Sequence, residues 1–269
     1  MLVIDIGNSR IKWALYIGEP RLFHVHSQSA FDYTKENFED QLNQANLPIT
    51  SSTIEISCVV GDALKMRMLK WLGKNNRKKV NFAQTQAQQC NITNSYVRPG
   101  KMGVDRWLAM IAAFDLHAPE HNEILCVIDC GTAITLDMLN ARGQHLGGTI
   151  MPGFKTMIQS LVNNTSDIEY SHLLVRHKTL KEGLANTTHD AILKGCTQLI
   201  VGGLFNMVWR NQTNASTPIK CIITGGDGKW VANALKLSLD ATPNVELQTS
   251  YNPYLVLQGL VIAALHDKT

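Results

Sequence analysis

The stretch Leu2-Val3-Ile4-Asp5-Ile6-Gly7-Asn8-Ser9-Arg10-Ile11-Lys12-Trp13-Ala14 decides how the chain is read. An apolar run carries one acidic residue and ends in Gly-Asn-Ser. A second run then alternates, with Ile11, Trp13 and Leu15 on one face, so the pattern predicts a β-hairpin with a tight turn. A carboxylate on a core strand is costly unless it is paired or bound to a cation. Gly7 leaves room for close approach of a ligand, and Asn8, Ser9 and the turn N–H groups can hold phosphate oxygens. Asp5 could then hold a hydrated Mg²⁺ beside them. An ordinary hairpin ending in a solvated Asp is the plainer alternative.

The same design returns 124 residues later in Cys126-Val127-Ile128-Asp129-Cys130-Gly131-Thr132-Ala133-Ile134-Thr135-Leu136-Asp137. Two Asp-x-Gly hairpins suggest two similar halves. This duplication resembles the acetate kinase, sugar kinase, Hsp70 and actin superfamily, in which two strand-turn-strand units grip ATP phosphates from either side of a cleft. The resemblance implies an α/β fold of two similar ribonuclease H-like domains, with mixed sheets flanked by helices and an ATP cleft between them. The expected boundaries are 1–120 and 121–269, with a closing helix over 254–265 packing back on the first domain.

At 269 residues, 45% hydrophobic and 17% charged, the chain can bury one large core or two modest ones. A net charge of +3 is too small to imply nucleic acid. The basic run Lys74, Arg77, Lys78 and Lys79 lacks interleaved aromatics and reads as a solvated helix end. The six cysteines include no C-x-x-C pair. Cys126 and Cys130, roughly 13 Å apart along a strand, are too distant to share a metal. All six read as reduced thiols, so a cytoplasmic location is expected. No signal peptide precedes the first strand, and Leu199–Trp209 and Leu255–Leu265 are too short to span a membrane.

Along the chain, residues 2–27 predict a hairpin and a third strand, and Phe31–Asn46 a helix. Ile54–Val60 reads as a strand, Asp62–Leu72 as a helix capped at Gly73, and Val80–Ala83 as a strand. Val104, Trp107, Leu108 and Ile111 have i, i+3, i+4, i+7 spacing, so a helix starts near Gly103 after the Pro99-Gly100 turn. Asp105 and Arg106 then lie in its first turn, where free N–H groups stabilise a carboxylate suited to act as a base. The alternative is a favourable first-turn Asp beside an exposed Arg. Pro119 disfavours a helix joining His117 to His121, which marks a domain junction.

Ile124–Leu139 is the second hairpin, Gly143–Thr149 a glycine-rich segment, Phe154–Val162 a helix and Asn163–Lys178 a polar loop. From Thr187 a long helix carries apolar or small pairs at 191/192, 195/196, 199/200, 203/204 and 207/208. That stripe is either a seam for a second subunit or a core face. Ile219–Thr224 is a strand ending in Gly225-Gly226-Asp227-Gly228, whose backbone could lie against a flat ring. Val245–Leu247 is a short strand, and Tyr254–Leu265 the closing helix.

With these pieces placed, the sequence resembles the type III pantothenate kinases across nearly its whole length. Asp5-Ile6-Gly7-Asn8-Ser9 is similar to the family's first phosphate motif, with Ser9 where Thr is usual. Gly103-Val104-Asp105-Arg106 matches the Gly-x-Asp-Arg substrate motif, and Tyr96 falls where the family keeps a pantothenate-contacting Tyr. Asp129-Cys130-Gly131-Thr132-Ala133 matches the second phosphate motif, followed by Gly147-Gly148-Thr149-Ile150-Met151-Pro152-Gly153. Asn186-Thr187 matches a pair whose Thr contacts pantothenate, although Leu184-Ala185 and Leu193-Lys194 depart from the family's Ile-Gly and Met-Gln. Thr224-Gly225-Gly226 resembles the adenosine-side turn.

The resemblance implies ATP-dependent phosphorylation of the pantothenate 4′ hydroxyl. Asp105 would be the catalytic base, and Tyr96, Gly103, Val104, Arg106 and Thr187 would bind pantothenate. Asp5, Ile6, Gly7, Asn8, Ser9, Arg10, Ile11, Lys12 and Thr132 would surround ATP. Asp5 would hold Mg²⁺ through water, and Asp129 a monovalent cation, K⁺ or NH₄⁺. A homodimer with the substrate site near its interface is also implied. The alternatives are a non-catalytic nucleotide-binding regulator of the same fold and a related kinase for another small hydroxy acid. No P-loop pattern is present, which argues against the unrelated pantothenate kinases built on that motif.

Overall fold

Two five-stranded sheets are built in the same strand order, the third strand of each beside the second, first, fourth and fifth. The computed structural model describes residues 1–18, 25–49, 51, 53–75, 79–117, 119, 123–165, 183–211, 218–240 and 247–266. Its contacts divide the chain into two units. The first comprises Met1–Pro119, Leu139–Gly147 and Tyr254–Thr269; the second comprises Glu120–Met138 and Gly148–Pro253.

In the first unit β1 (Leu2–Ile6) pairs antiparallel with β2 (Arg10–Tyr16), placing Asp5 opposite Lys12 and Ile6 opposite Ile11. β3 (Val25–Asp32) extends β2, while β4 (Thr53–Cys58) and β5 (Lys79–Phe82) add parallel strands on the other side of β1. Strand alternation sends Leu2, Ile4, Ile6, Ile11, Trp13, Ile54 and Ile56 into a core with Phe38 and Leu42 of α1 (Phe38–Gln44) and Leu64, Met68 and Leu72 of α2 (Asp62–Asn75). β1 and β4 also pack against α7 (Leu255–His266), and β4 against α3 (Val104–His117). α3 is buried at every position from Arg106 to Ala113, well beyond one helical stripe, because α7 also lies against it. Gly259 makes that contact possible: a Cβ there would come within 1.9 Å of the Leu108 carbonyl oxygen.

A small hairpin, β6 (Gln88–Gln89) with β7 (Ile92–Thr93), precedes α3. Its two-residue turn puts Cys90 and Asn91 at φ of 50° and 63°, the left-handed geometry that matches hairpin twist.

The second unit holds β8 (Ile124–Cys130), β9 (Ala133–Asn140), β10 (His145–Pro152), β11 (Ile219–Thr224) and β12 (Leu247–Tyr251), in the order β10-β9-β8-β11-β12. The ends of β9 and β10 joined by the turn at Gly143 group with the first unit. Ile124, Cys126, Ile128, Ile134 and Leu136 form a core with α4 (Phe154–Asn164), α5 (Thr188–Arg210) and α6 (Gly228–Asp240).

Several local expectations are corrected. The helix expected over Phe31–Asn46 covers only Phe38–Gln44, because Phe31 and Asp32 pair with Ile11 and Arg10 in the sheet. Gly73 does not end α2, which runs on to Asn75 with open space around that glycine. The glycine-rich segment at 143–149 is mostly strand, since His145 begins β10. Leu199–Trp209 is part of a 23-residue helix that is long and apolar enough by composition to cross a membrane, although one face is buried in the second core. The stripe on α5 splits in two. Ile192, Cys196, Ile200, Leu204 and Val208 are core residues, while Ala191, Gly195 and Leu199 face outward. All six cysteines are buried and unbridged, and Cys126 faces Cys221 across β8 and β11. The polar loop expected at Asn163–Lys178 lies outside the described residues beyond Thr165.

Candidate active site

Asp5 is the penultimate residue of β1 and is only 8% exposed. Its Oδ1 has no hydrogen-bond partner. Burial pushes its pKa up to about 6, Lys12 opposes this, nearby Asp105 reinforces it, and Ser57 on the adjoining strand lowers it. The turn that follows is closed by the Gly7 N–H donating to the Arg10 carbonyl at 3.0 Å. Asn8 and Ser9 are exposed at its tip. Ile6 and Ile11 are fully buried, so their backbone alone can serve a ligand. Arg10 forms an exposed ion pair with Asp32 at 2.9 Å.

Sequence reasoning missed the brace of this turn. The Tyr33 hydroxyl donates to the Gly7 carbonyl at 2.6 Å, and the Tyr33 N–H to the Ser9 carbonyl at 3.2 Å. Burial, with Cys58 and Asp5 nearby, pushes the Tyr33 phenol up to about 12, so it stays a donor. Only an aromatic residue just past β3 marked it in the sequence.

At the start of α3 the backbone explains the Gly-x-Asp-Arg pattern. The Asp105 carboxylate folds back on its own helix terminus, where Oδ1 accepts from the Arg106 N–H at 2.8 Å. A Cβ on residue 103 would lie 2.5 Å from that same oxygen, so a larger residue there would displace the Asp105 carboxylate. Arg106 is 5% exposed, which sets aside the exposed-Arg alternative. Its Nη1 donates to the Tyr96 hydroxyl at 2.8 Å, and its guanidinium carbon lies 5.5 Å from the Tyr96 ring centre. Tyr96 is held in turn by its N–H donating to Asn94 Oδ1 at 2.9 Å. The first unit therefore brings together Asp5, Lys12, Tyr96, Gly103, Asp105 and Arg106.

In the second unit, Asp129 is the penultimate residue of β8, and the turn to β9 carries Gly131 and Thr132. The Thr132 carbonyl accepts from the Gly153 N–H at 3.0 Å and the Thr156 hydroxyl at 2.6 Å. A Cβ on Gly153 would come within 2.1 Å of the Gly131 carbonyl, so the last glycine of the 147–153 stretch docks α4 onto the turn. Gly225, at φ 92°, presses against the Cys130 carbonyl and Asp129 Oδ1, each about 2.5 Å or less from where its Cβ would be. The Asp227 N–H donates to the Cys130 carbonyl at 3.0 Å, and the Tyr251 hydroxyl to the Gly225 carbonyl at 3.2 Å. Burial, with Asp129 and Asp227 close by, pushes the Cys130 thiol well up, so it remains neutral. Thr187 caps α5, its hydroxyl accepting from the Asp190 N–H at 3.1 Å.

Among the described residues no three His, Cys, Asp or Glu side chains cluster as a metal cage. Two single carboxylates nevertheless fit cations. The unpartnered, buried Asp5 oxygen suits a hydrated Mg²⁺ completed by nucleotide phosphates. The Asp129 carboxylate and the Cys130 carbonyl, both packed against Gly225, offer the hard oxygens that a K⁺-like ion prefers.

The sequence model of the type III pantothenate kinases matches residues 1–210. A type III pantothenate kinase of Paraburkholderia phytofirmans is 33% identical, covering 98% of this chain and 94% of that one. One from a Marinomonas species is 31% identical over 91% of both. A crystal structure described as a conserved putative Baf family transcriptional activator from Campylobacter jejuni shares the fold at a TM-score of 0.58. It is 19% identical and covers 100% of this chain and 99% of that one. The matched family model and these relatives show that the chain belongs to the type III pantothenate kinase family.

Proposed function

We propose that the protein uses ATP to phosphorylate the 4′ hydroxyl of pantothenate, giving 4′-phosphopantothenate and ADP, the first step of coenzyme A biosynthesis. Family membership supports the reaction. The observation that carries it to this chain is the grouping of Asp105, Arg106 and Tyr96 in the unit that also holds Asp5.

Asp105 accepts the proton of the attacking hydroxyl. Arg106 binds the pantothenate carboxylate, aided by the N-terminus of α3 and by Tyr96. Gly103 and Val104 shape the same helix start, and Thr187 contributes its hydroxyl. Gly7, Asn8, Ser9 and Lys12, with the backbone of Ile6, Arg10 and Ile11, surround the ATP phosphates, and Thr132 hydrogen-bonds them as well. Mg²⁺ bound with ATP supplies charge neutralisation at the phosphates; Asp5 holds it through water, and Asp129 holds K⁺ or NH₄⁺. The working form is a cytoplasmic homodimer with the substrate site near its interface. The outward half of the α5 stripe, with Gly195 and Leu199, supports that reading.

The test is ADP release from purified protein with ATP, Mg²⁺ and K⁺, with and without pantothenate, and mass spectrometry of the product. Pantothenate-dependent ADP release with 4′-phosphopantothenate formed is expected. No turnover from folded, ATP-binding protein would overturn the proposal and point to another acceptor or to a regulator.

A further inference from the structure

Ahead of α3 the chain runs through Thr93-Asn94-Ser95-Tyr96-Val97-Arg98 without regular structure after Thr93. Tyr96 is half-buried, and Val97 beside it is 99% exposed. Yet the Tyr96 hydroxyl must meet Arg106 at hydrogen-bond distance. The fixed points of this stretch lie partly on the turn into β10. The Thr93 N–H donates to the Gly143 carbonyl at 2.9 Å. Gly143 itself sits at φ 76° with its α-carbon so close to Asn91 that a Cβ would lie 2.2 Å from the Asn91 carbonyl oxygen. Two residues on, His145 is 4% exposed, a burial that an imidazole tolerates only with hydrogen-bond partners. Its Nδ1 is hydrogen-bonded to Ser95 Oγ at 2.9 Å, and its ring lies 6.1 Å from the Tyr96 ring, tilted by 31°.

We infer that His145 is a positioning residue for the acceptor: through Ser95 and ring contact it fixes Tyr96, and through Tyr96 it orients the Arg106 guanidinium that receives the substrate carboxylate. This rests on the proposed pantothenate site. Bidentate recognition of a carboxylate is demanding in angle, so a tyrosine free to swing lets the guanidinium leave its productive plane. Both contacts, to Ser95 and to the Tyr96 ring, lead to the Tyr96–Arg106 pair, so its effect belongs to acceptor binding. Replacing a hydrogen-bonded ring of this kind weakens binding by a factor on the order of 10.

The experiment is steady-state kinetics of His145→Ala, His145→Asn and Ser95→Ala beside the wild type, with ATP and pantothenate varied separately. Pantothenate affinity is also measured by calorimetry. His145→Ala should raise the KM and Kd for pantothenate about 10-fold, leave the KM for ATP unchanged and hold kcat within about 3-fold. His145→Asn, which can still bond Ser95, should recover most of the loss. Ser95→Ala, an exposed change that folds normally, should move the same parameter in the same direction. An unchanged pantothenate KM in both alanine variants overturns the inference, as does a parallel rise in both KM values. If the wild type itself ignores pantothenate, the proposed function fails. If the wild type turns over and the variants match it, only the role of His145 fails.

Discussion

A buried aspartate with an unpartnered oxygen weakens a fold at neutral pH, and Asp5 is such a residue. Its folded-state pKa, about 6, lies above the ordinary value of 3.8. The folded state therefore holds the proton more tightly between those values, and stability falls as pH rises through that window and stays low above it. The cost at neutral pH is on the order of 3 kcal/mol. Asp5→Asn should raise the melting temperature at about pH 7.5, make little difference near pH 4, and still abolish most activity. A less stable variant at pH 7.5 would contradict the assigned cost. The same shift has a binding consequence. In the proposed metal role Asp5 must be ionised, so calorimetric affinity for Mg²⁺–ATP should weaken below about pH 6, and a flat profile from pH 5 to 8 would remove Asp5 from that role. Gly103 acts at the same scale. Gly103→Ala would push directly on Asp105 Oδ1 and should lower kcat by about 10-fold or more while ATP binding survives; normal turnover would show that the carboxylate has room to move.

Elements pack where glycines allow backbones to touch. Gly259→Ala would drive a methyl into the Leu108 carbonyl between α7 and α3, and should destabilise the protein by about 2–3 kcal/mol in denaturant melts. A loss below about 0.5 kcal/mol would mean that the helices separate easily. The elements were legible where pattern and period agree. The two hairpins, α3 and α5 follow from alternating or 3.6-period apolar residues bounded by turn residues. The misreadings have tertiary causes. Phe31 and Asp32 join a strand because β2 offers its edge, and His145 begins one although glycines follow it. The candidate site was expected from motifs, and the contacts that support its residues were not legible. Nothing local announces that Tyr33 braces Gly7, that Asp105 folds onto Gly103, or that Arg106 is buried against Tyr96, because each contact joins distant or backbone groups.

At the scale of the molecule, the two sheets of matching order each end a hairpin in an Asp-x-Gly turn, as expected of a duplicated architecture. α5 adds the outward face that the dimer proposal uses, where Leu199 is 67% and Trp209 52% exposed beside Gly195 and Gly202. Leu199→Glu should convert a dimer to monomer in sedimentation velocity, with the melting transition otherwise retained. A wild-type monomer at micromolar concentration would refute the interface.

In the proposed reaction Asp105, held at the start of α3, removes the proton from the attacking hydroxyl. This role is tested most directly by single-turnover phosphoryl transfer in Asp105→Asn, with ATP affinity measured on the same protein. The expected result is a rate lowered by about 10²-fold or more with ATP affinity retained. Near-normal transfer would contradict it and leave Asp105 a helix-terminal residue with no part in the chemistry.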